Sequence, residues 1–156
     1  MLNNTNSFNF SFTGGYCGIS DVAHCECLDT VTGEWHEIAK MNKPRMYHAA
    51  CASQNRIYAL GGRNSMGMLE SIEKYNPELN MWLVIKTKFF LRLGTSASLG
   101  FKQESESDMV MIVGGVDSSL DEHNDVITLS LKSPGYEVDT GKPMLEKRAY
   151  CGVTIL

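Results

Sequence analysis

Two sets of residues in this 156-residue chain have types and spacings that could do chemistry. The first is His24-Cys25-Glu26-Cys27. Cysteines two apart on a strand place both thiols on one face, where they can share a soft metal. A structural zinc site needs two further ligands, and Cys17 and His36 are the nearby residues able to supply them. The competing reading is structural. Cys25 stands where Ile72 stands in a later copy of the same pattern, as a small core hydrophobe, and Cys27 matches Lys74. The structural reading is preferred, so neither a metal nor a cofactor is expected. Cys17, Cys51 and Cys151 lack the Cys-His-Asn pattern of a thiol nucleophile, and His48 reads as a repeat landmark. The stretch from Gly61 to Gly67 lacks the following helix and the Lys-Ser/Thr pair of a phosphate loop.

The second set is three arginines, Arg45, Arg92 and Arg148, each opening a strand of small residues. A guanidinium grips a carboxylate bidentately, so three on one face would suit acidic peptide side chains. Equally, each arginine can brace its own copy of the repeat through backbone carbonyls.

What positions these residues is a repeat. Gly14-Gly15, Gly61-Gly62 and Gly114-Gly115 are spaced by 47 and 53 residues, and each pair follows a short apolar run. Such runs read as strands, and the glycines supply the positive φ of a tight exit. About ten residues on comes a further strand, Cys25-Glu26-Cys27-Leu28, Ile72-Glu73-Lys74-Tyr75 or Val126-Ile127-Thr128-Leu129. Then come a turn, an aromatic (Trp35, Trp82, and Tyr136 in the third copy), an exposed strand and the arginine. Four short strands per period of about fifty residues indicate propeller blades, and no segment has a helical apolar period long enough to compete.

The copy from Pro44-Arg45-Met46-Tyr47-His48 through Leu60-Gly61-Gly62 to Tyr75-Asn76-Pro77 and Trp82 resembles the kelch repeat, and the resemblance covers nearly all of the chain. It implies an all-β fold of kelch-type β-propeller blades, each a four-stranded antiparallel sheet with strands a to d. The repeats are expected at about 8–44, 45–91 and 92–147, with a final strand in 148–156. The third copy departs from the pattern, with Leu129 at the Tyr place and Tyr136 at the Trp place. The resemblance further implies that the d–a and b–c loops gather on one face and bind a partner. Arg45, Arg63, Asn64, Ser65, Arg92, Asp117 and Arg148 are the partner-binding residues expected there, with Asn42, Lys43, Phe90, Ser118 and Lys147 beside them.

The expected function is a non-enzymatic module binding a protein or peptide, as a substrate adaptor or scaffold fragment. Relatives that serve ubiquitin ligases do so through a BTB region, which these residues do not contain. The alternative is part of a kelch-fold enzyme or a sugar-binding propeller. A net charge of −4 offers no general pull toward nucleic acid or anionic lipid. There is no apolar run of membrane-spanning length and no secretory leader pattern. With five cysteines, an odd number lying in apolar stretches, free thiols and a cytoplasmic setting are expected. The strands sum to about three blades, whereas rings typically need four to eight. The ring is therefore expected to be incomplete. Either the chain is a portion of a longer propeller, or two copies form a homodimer completing a six-bladed ring.

Overall fold

The computed structural model describes residues 9–53, 55–86, 98–102, 108–130 and 137–153. Every regular element among them is a strand, and the strands form three successive antiparallel blades. Blade 1 joins β1 (Asn9–Tyr16), β2 (Asp21–Asp29) and β3 (Trp35–Ile38) in sequence order. Blade 2 begins with β4 (Ala49–Ser53) and β5 (Arg56–Leu60). After a small ladder of β6 (Arg63–Asn64) and β7 (Gly67–Met68), it is completed by β8 (Ser71–Asn76) and β9 (Met81–Lys86). Blade 3 joins β10 (Ser98–Lys102), β11 (Asp108–Val113), β12 (Val126–Ser130) and β13 (Glu137–Thr140).

The register is the same in all three. The residue two before each first glycine pairs with the second position of the c-strand motif: Phe12 with Glu26, Ala59 with Glu73, Ile112 with Ile127. Further along, c meets d at Leu28–Trp35, Tyr75–Trp82 and Leu129–Val138. Leu129 thus occupies the Tyr place. Val138, not Tyr136, occupies the Trp place, because the c–d connection of blade 3 is two residues longer; Tyr136 itself lies outside the described residues.

Because side chains alternate along a strand, each blade has two faces to bury. Blade 2 uses Ile57, Ala59, Tyr75 and Trp82 against Cys25, Ala23, Ile38, Ala39 and Met41 of blade 1 and its exit loop. Its other face, with Tyr58, Leu60, Ile72 and Ile85, packs on Val110, Ile112 and Leu129 of blade 3. The cores therefore lie between blades, not within them. Polar bonds stitch the first of these junctions: the Trp82 indole N–H donates to the Ala39 carbonyl at 2.7 Å, and Ala39 N–H to Asn80 Oδ1 at 2.8 Å. Trp35, in register with Trp82, is 51% exposed against 5%.

The Gly-Gly pairs let the next connection pass closely. A Cβ on Gly14 would stand 2.7 Å from the Arg45 carbonyl oxygen, and one on Gly114 would run into that of Arg148. Both glycines have φ near +60°, so a side chain is disfavoured twice over. The strand expected over 148–156 does not form over the described residues 149–153, which pair with no described strand; 154–156 lie outside those residues.

Candidate functional site

Arg45 departs furthest from expectation. Its guanidinium is fully buried and donates to the Gly61 carbonyl at 2.8 Å, the Ser71 carbonyl at 3.1 Å and the Glu73 carboxylate at 2.8 Å. Glu73, also fully buried, accepts three more N–H donors: Asn42 N at 2.7 Å, Asn42 Nδ2 at 2.8 Å and Lys43 N at 3.1 Å. Burial alone would push this carboxyl up, but the bonds from Arg45 and Asn42 outweigh it and hold it below its ordinary value. The 42–45 connection leaving blade 1 is thereby anchored inside blade 2. A side chain so enclosed presents nothing to a partner, which removes Arg45 from the binding surface and makes it a brace.

Asn64 leaves the surface on the same ground. It is buried, donates to the Pro44 carbonyl at 3.3 Å and accepts from Met66 N at 2.9 Å. Asn42 spends its side chain on Glu73 and the Trp82 carbonyl. Asp117 is half-exposed and caps its own loop, accepting from Ser119 N at 2.8 Å and Asp121 N at 3.1 Å, with His123 Nε2 at 3.0 Å. The His123 bond, with that from Ser119, holds its carboxyl below the ordinary value. Arg92 and Phe90 lie outside the described residues. Exposed at the loops are Lys43, Arg63, Ser65, Ser118, Lys147 and Arg148.

Two tyrosines join them. Tyr47 and Tyr150 have φ of 54° and 53°, a region that bulky residues rarely enter, and they are 54% and 64% exposed. Their rings meet edge to face at 5.9 Å, although one enters blade 2 and the other follows blade 3. Arg63 adjoins this pair through a two-bond bridge with Met46, Met46 N to Arg63 O and Arg63 N to Met46 O, both 2.9 Å. Ser65 beside it is tied by its N–H to Asp21 Oδ2 at 3.1 Å. The tyrosine pair was missed from the sequence because its signal is a backbone angle; recurrence of Tyr two residues after Arg45 and Arg148 is the trace it left.

Of the remaining candidates for chemistry, Cys25 and His48 belong to the scaffold. Cys25 is buried in the first inter-blade core, where desolvation raises its thiol pKa. No three His, Cys, Asp or Glu residues converge among the described residues. His48 bonds Thr13 Oγ1 through Nε2 at 3.2 Å; burial and then the Arg45 charge depress its pKa to about 4, so the ring is neutral near pH 7. A cleft of about 440 Å³ opens between blades 1 and 2 beside Cys27, His36, Arg56 and Tyr75. It lies at the a–b and c–d turns, and neither Tyr47 nor Tyr150 lines it. No helix among the described residues is long and apolar enough to cross a membrane.

Blades packed face to face, with the connection out of blade 1 clamped inside blade 2, define a β-propeller with an incomplete ring. The solved structure of YjhT shares this fold, with a TM-score of 0.70 at 11% identity over 92% of this chain and 52% of that one. The Kelch motif matches residues 13–42 and 44–88, and the chain is a kelch-repeat protein. It is similar to Kelch-like protein 7 of Rattus norvegicus (34% identity over 64 residues, 41% of this chain and 11% of that protein). It is also similar to Kelch-like protein 26 of Danio rerio (35% over 78 residues, 47% and 13%) and Kelch-like protein 23 of Homo sapiens (45% over 62 residues, 38% and 11%). The chain thus matches only about a tenth of the length of these curated relatives.

Proposed function

We propose that this chain is a non-enzymatic interaction module that binds a protein or peptide at the loop face built by Tyr47, Tyr150, Arg63, Ser65 and Asp117. The observation that carries the reading is the pair of exposed, left-handed tyrosines in edge-to-face contact, with the exposed Arg63 on the adjoining bridge. Tyrosine and arginine are the residue types that dominate binding energy at protein interfaces, offering large area at low entropic cost and a bidentate grip on carboxylates. A partner segment with an apolar residue for the rings and an Asp or Glu for Arg63 fits this chemistry. The names of the similar Kelch-like proteins are consistent with it, and a substrate-adaptor or scaffold role is its more specific form.

The test is a random-peptide display selection on the purified chain. Enriched peptides should carry an acidic residue next to an apolar one, and Tyr47→Ala or Arg63→Ala should weaken them roughly 10- to 30-fold. Peptides that bind the double variant as tightly as the original chain would dismiss this face. A sugar or copper ion that raises the melting temperature, with no peptide selected, would favour a kelch-fold enzyme or sugar-binding propeller instead.

A further inference from the structure

The clamp between blades 1 and 2 has a free donor and a free acceptor elsewhere in the same chain. Glu26 holds in blade 1 the register position that Glu73 holds in blade 2, pairing with Phe12 as Glu73 pairs with Ala59. Yet Glu26 is exposed, and no cation lies on it among the described residues. Arg148 repeats the setting of Arg45 bond for bond. Its carbonyl accepts from Gly115 N at 2.8 Å, as that of Arg45 does from Gly15 N at 2.8 Å. Its N–H donates to the His123 carbonyl at 3.0 Å, as that of Arg45 does to Val22 at 3.2 Å. Two residues on, both chains turn through a left-handed tyrosine. The backbone therefore presents Arg148 as it presents Arg45, but the Arg148 side chain is exposed where that of Arg45 is enclosed.

The surfaces around the two match as well. β5 is flanked by β4 and β8, whereas among the described strands its counterpart β1 pairs only with β2, which leaves its other edge unpaired by them. The segment following Arg148, in register with the approach to β4, has no strand partner over 149–153. The blade 1 face that carries Glu26 also carries Trp35, whose counterpart Trp82 is covered by the neighbouring blade.

We infer that Glu26 is a receptor for Arg148 of a second copy of this chain. The Arg148 arm of one copy lies on blade 1 of the other, its guanidinium on the Glu26 carboxylate and its following residues along the edge of β1 away from β2. The blade 3 face of the first copy then covers Trp35. Opposite charges at equivalent positions of a demonstrated clamp specify the pairing and its direction. Such a contact is head to tail, and two of them related by a two-fold axis close a ring of six blades, within the four to eight that propellers use.

The test is sedimentation equilibrium of the full chain with charge reversals at these two sites. Both side chains are exposed in the single copy, so the variants should keep the parent circular dichroism and, at a concentration too low for self-association, its melting profile. The parent should sediment at twice 17.3 kDa. Glu26→Arg alone and Arg148→Glu alone should each weaken self-association by roughly 100-fold or more, the scale of a broken buried ion pair. The double reversal, Glu26→Arg with Arg148→Glu, should restore most of it, which a general loss of packing would not. A parent that stays at 17.3 kDa at all concentrations overturns the inference. So does a dimer indifferent to both reversals, which would place the contact on another surface, or a double reversal no better than either single change.

Discussion

Arg45 and Arg148 stand at equivalent points of the same repeat, with matching backbone bonds, and their side chains have opposite fates. One is sealed against Glu73 by the following blade; the other projects into solvent. Trp82 and Trp35 differ in the same way, 5% against 51% exposed. The landmarks of this repeat therefore act between blades. A residue's type fixes what it can bond to, and the adjoining blade decides whether it does. An arginine repeated three times is not by that fact a binding ring.

The contrast can be broken most severely at the tryptophans. Truncating Trp82 to alanine removes its packing on Tyr75 and its bond to Ala39, and should cost about 3–5 kcal/mol. Trp35→Ala should cost less than half as much, as urea midpoints of the two variants would show at a concentration too low for self-association. Equal losses would mean that exposure does not govern the two sites.

Acid should open the same junction next. His48 is held at about 4 against an ordinary 6.5, by burial first and the Arg45 charge second. A histidine with a depressed native pKa takes up its proton more readily when unfolded. Stability is then full above about pH 6.5 and falls as pH drops toward about 4, by about 3 kcal/mol at ~1.36 kcal/mol per pH unit. Glu73, also depressed, adds its own loss only as pH falls below its ordinary 4.5 and through its native value. Denaturation between pH 4 and 7.5 checks this, and replacing His48 with a neutral residue should flatten the upper part of the curve.

The smallest effect belongs to the c–d turns. Asn80 and Gly33 occupy equivalent left-handed positions, but only Asn80 accepts from Ala39 N–H and the Tyr75 hydroxyl, the latter at 2.9 Å. Asn80→Gly keeps the turn and removes the acceptor, and should cost about 1 kcal/mol by thermal melting.

Much of the fold was legible because its determinants are local. The Gly-Gly exits, the alternating strands and the spacing to Trp35 and Trp82 all follow from backbone sterics and side-chain period, which a linear sequence displays. The placement of Val138 was not, because two extra residues in the third c–d connection shift any count made from the glycines. The site was less legible still. Whether Arg45 faces a partner depends on Glu73, 28 residues on and brought near only by the fold. Whether Tyr47 and Tyr150 meet depends on two backbone angles and on blades far apart in sequence. In the b–c loop Arg63 and Ser65 are exposed while Asn64 between them turns inward to Pro44, a difference the loop's composition does not display.

The most direct measurement is a matched pair of unfolding curves for Arg45→Ala and Arg148→Ala, taken at a concentration too low for self-association. Removing Arg45 leaves a buried carboxylate short of its counter-charge, and should lower stability by about 3–5 kcal/mol. Removing Arg148 should change it by no more than about 0.5 kcal/mol, as for other exposed side chains. Equal effects of the two substitutions, whether both large or both small, would contradict the claim that these landmarks act through the neighbouring blade.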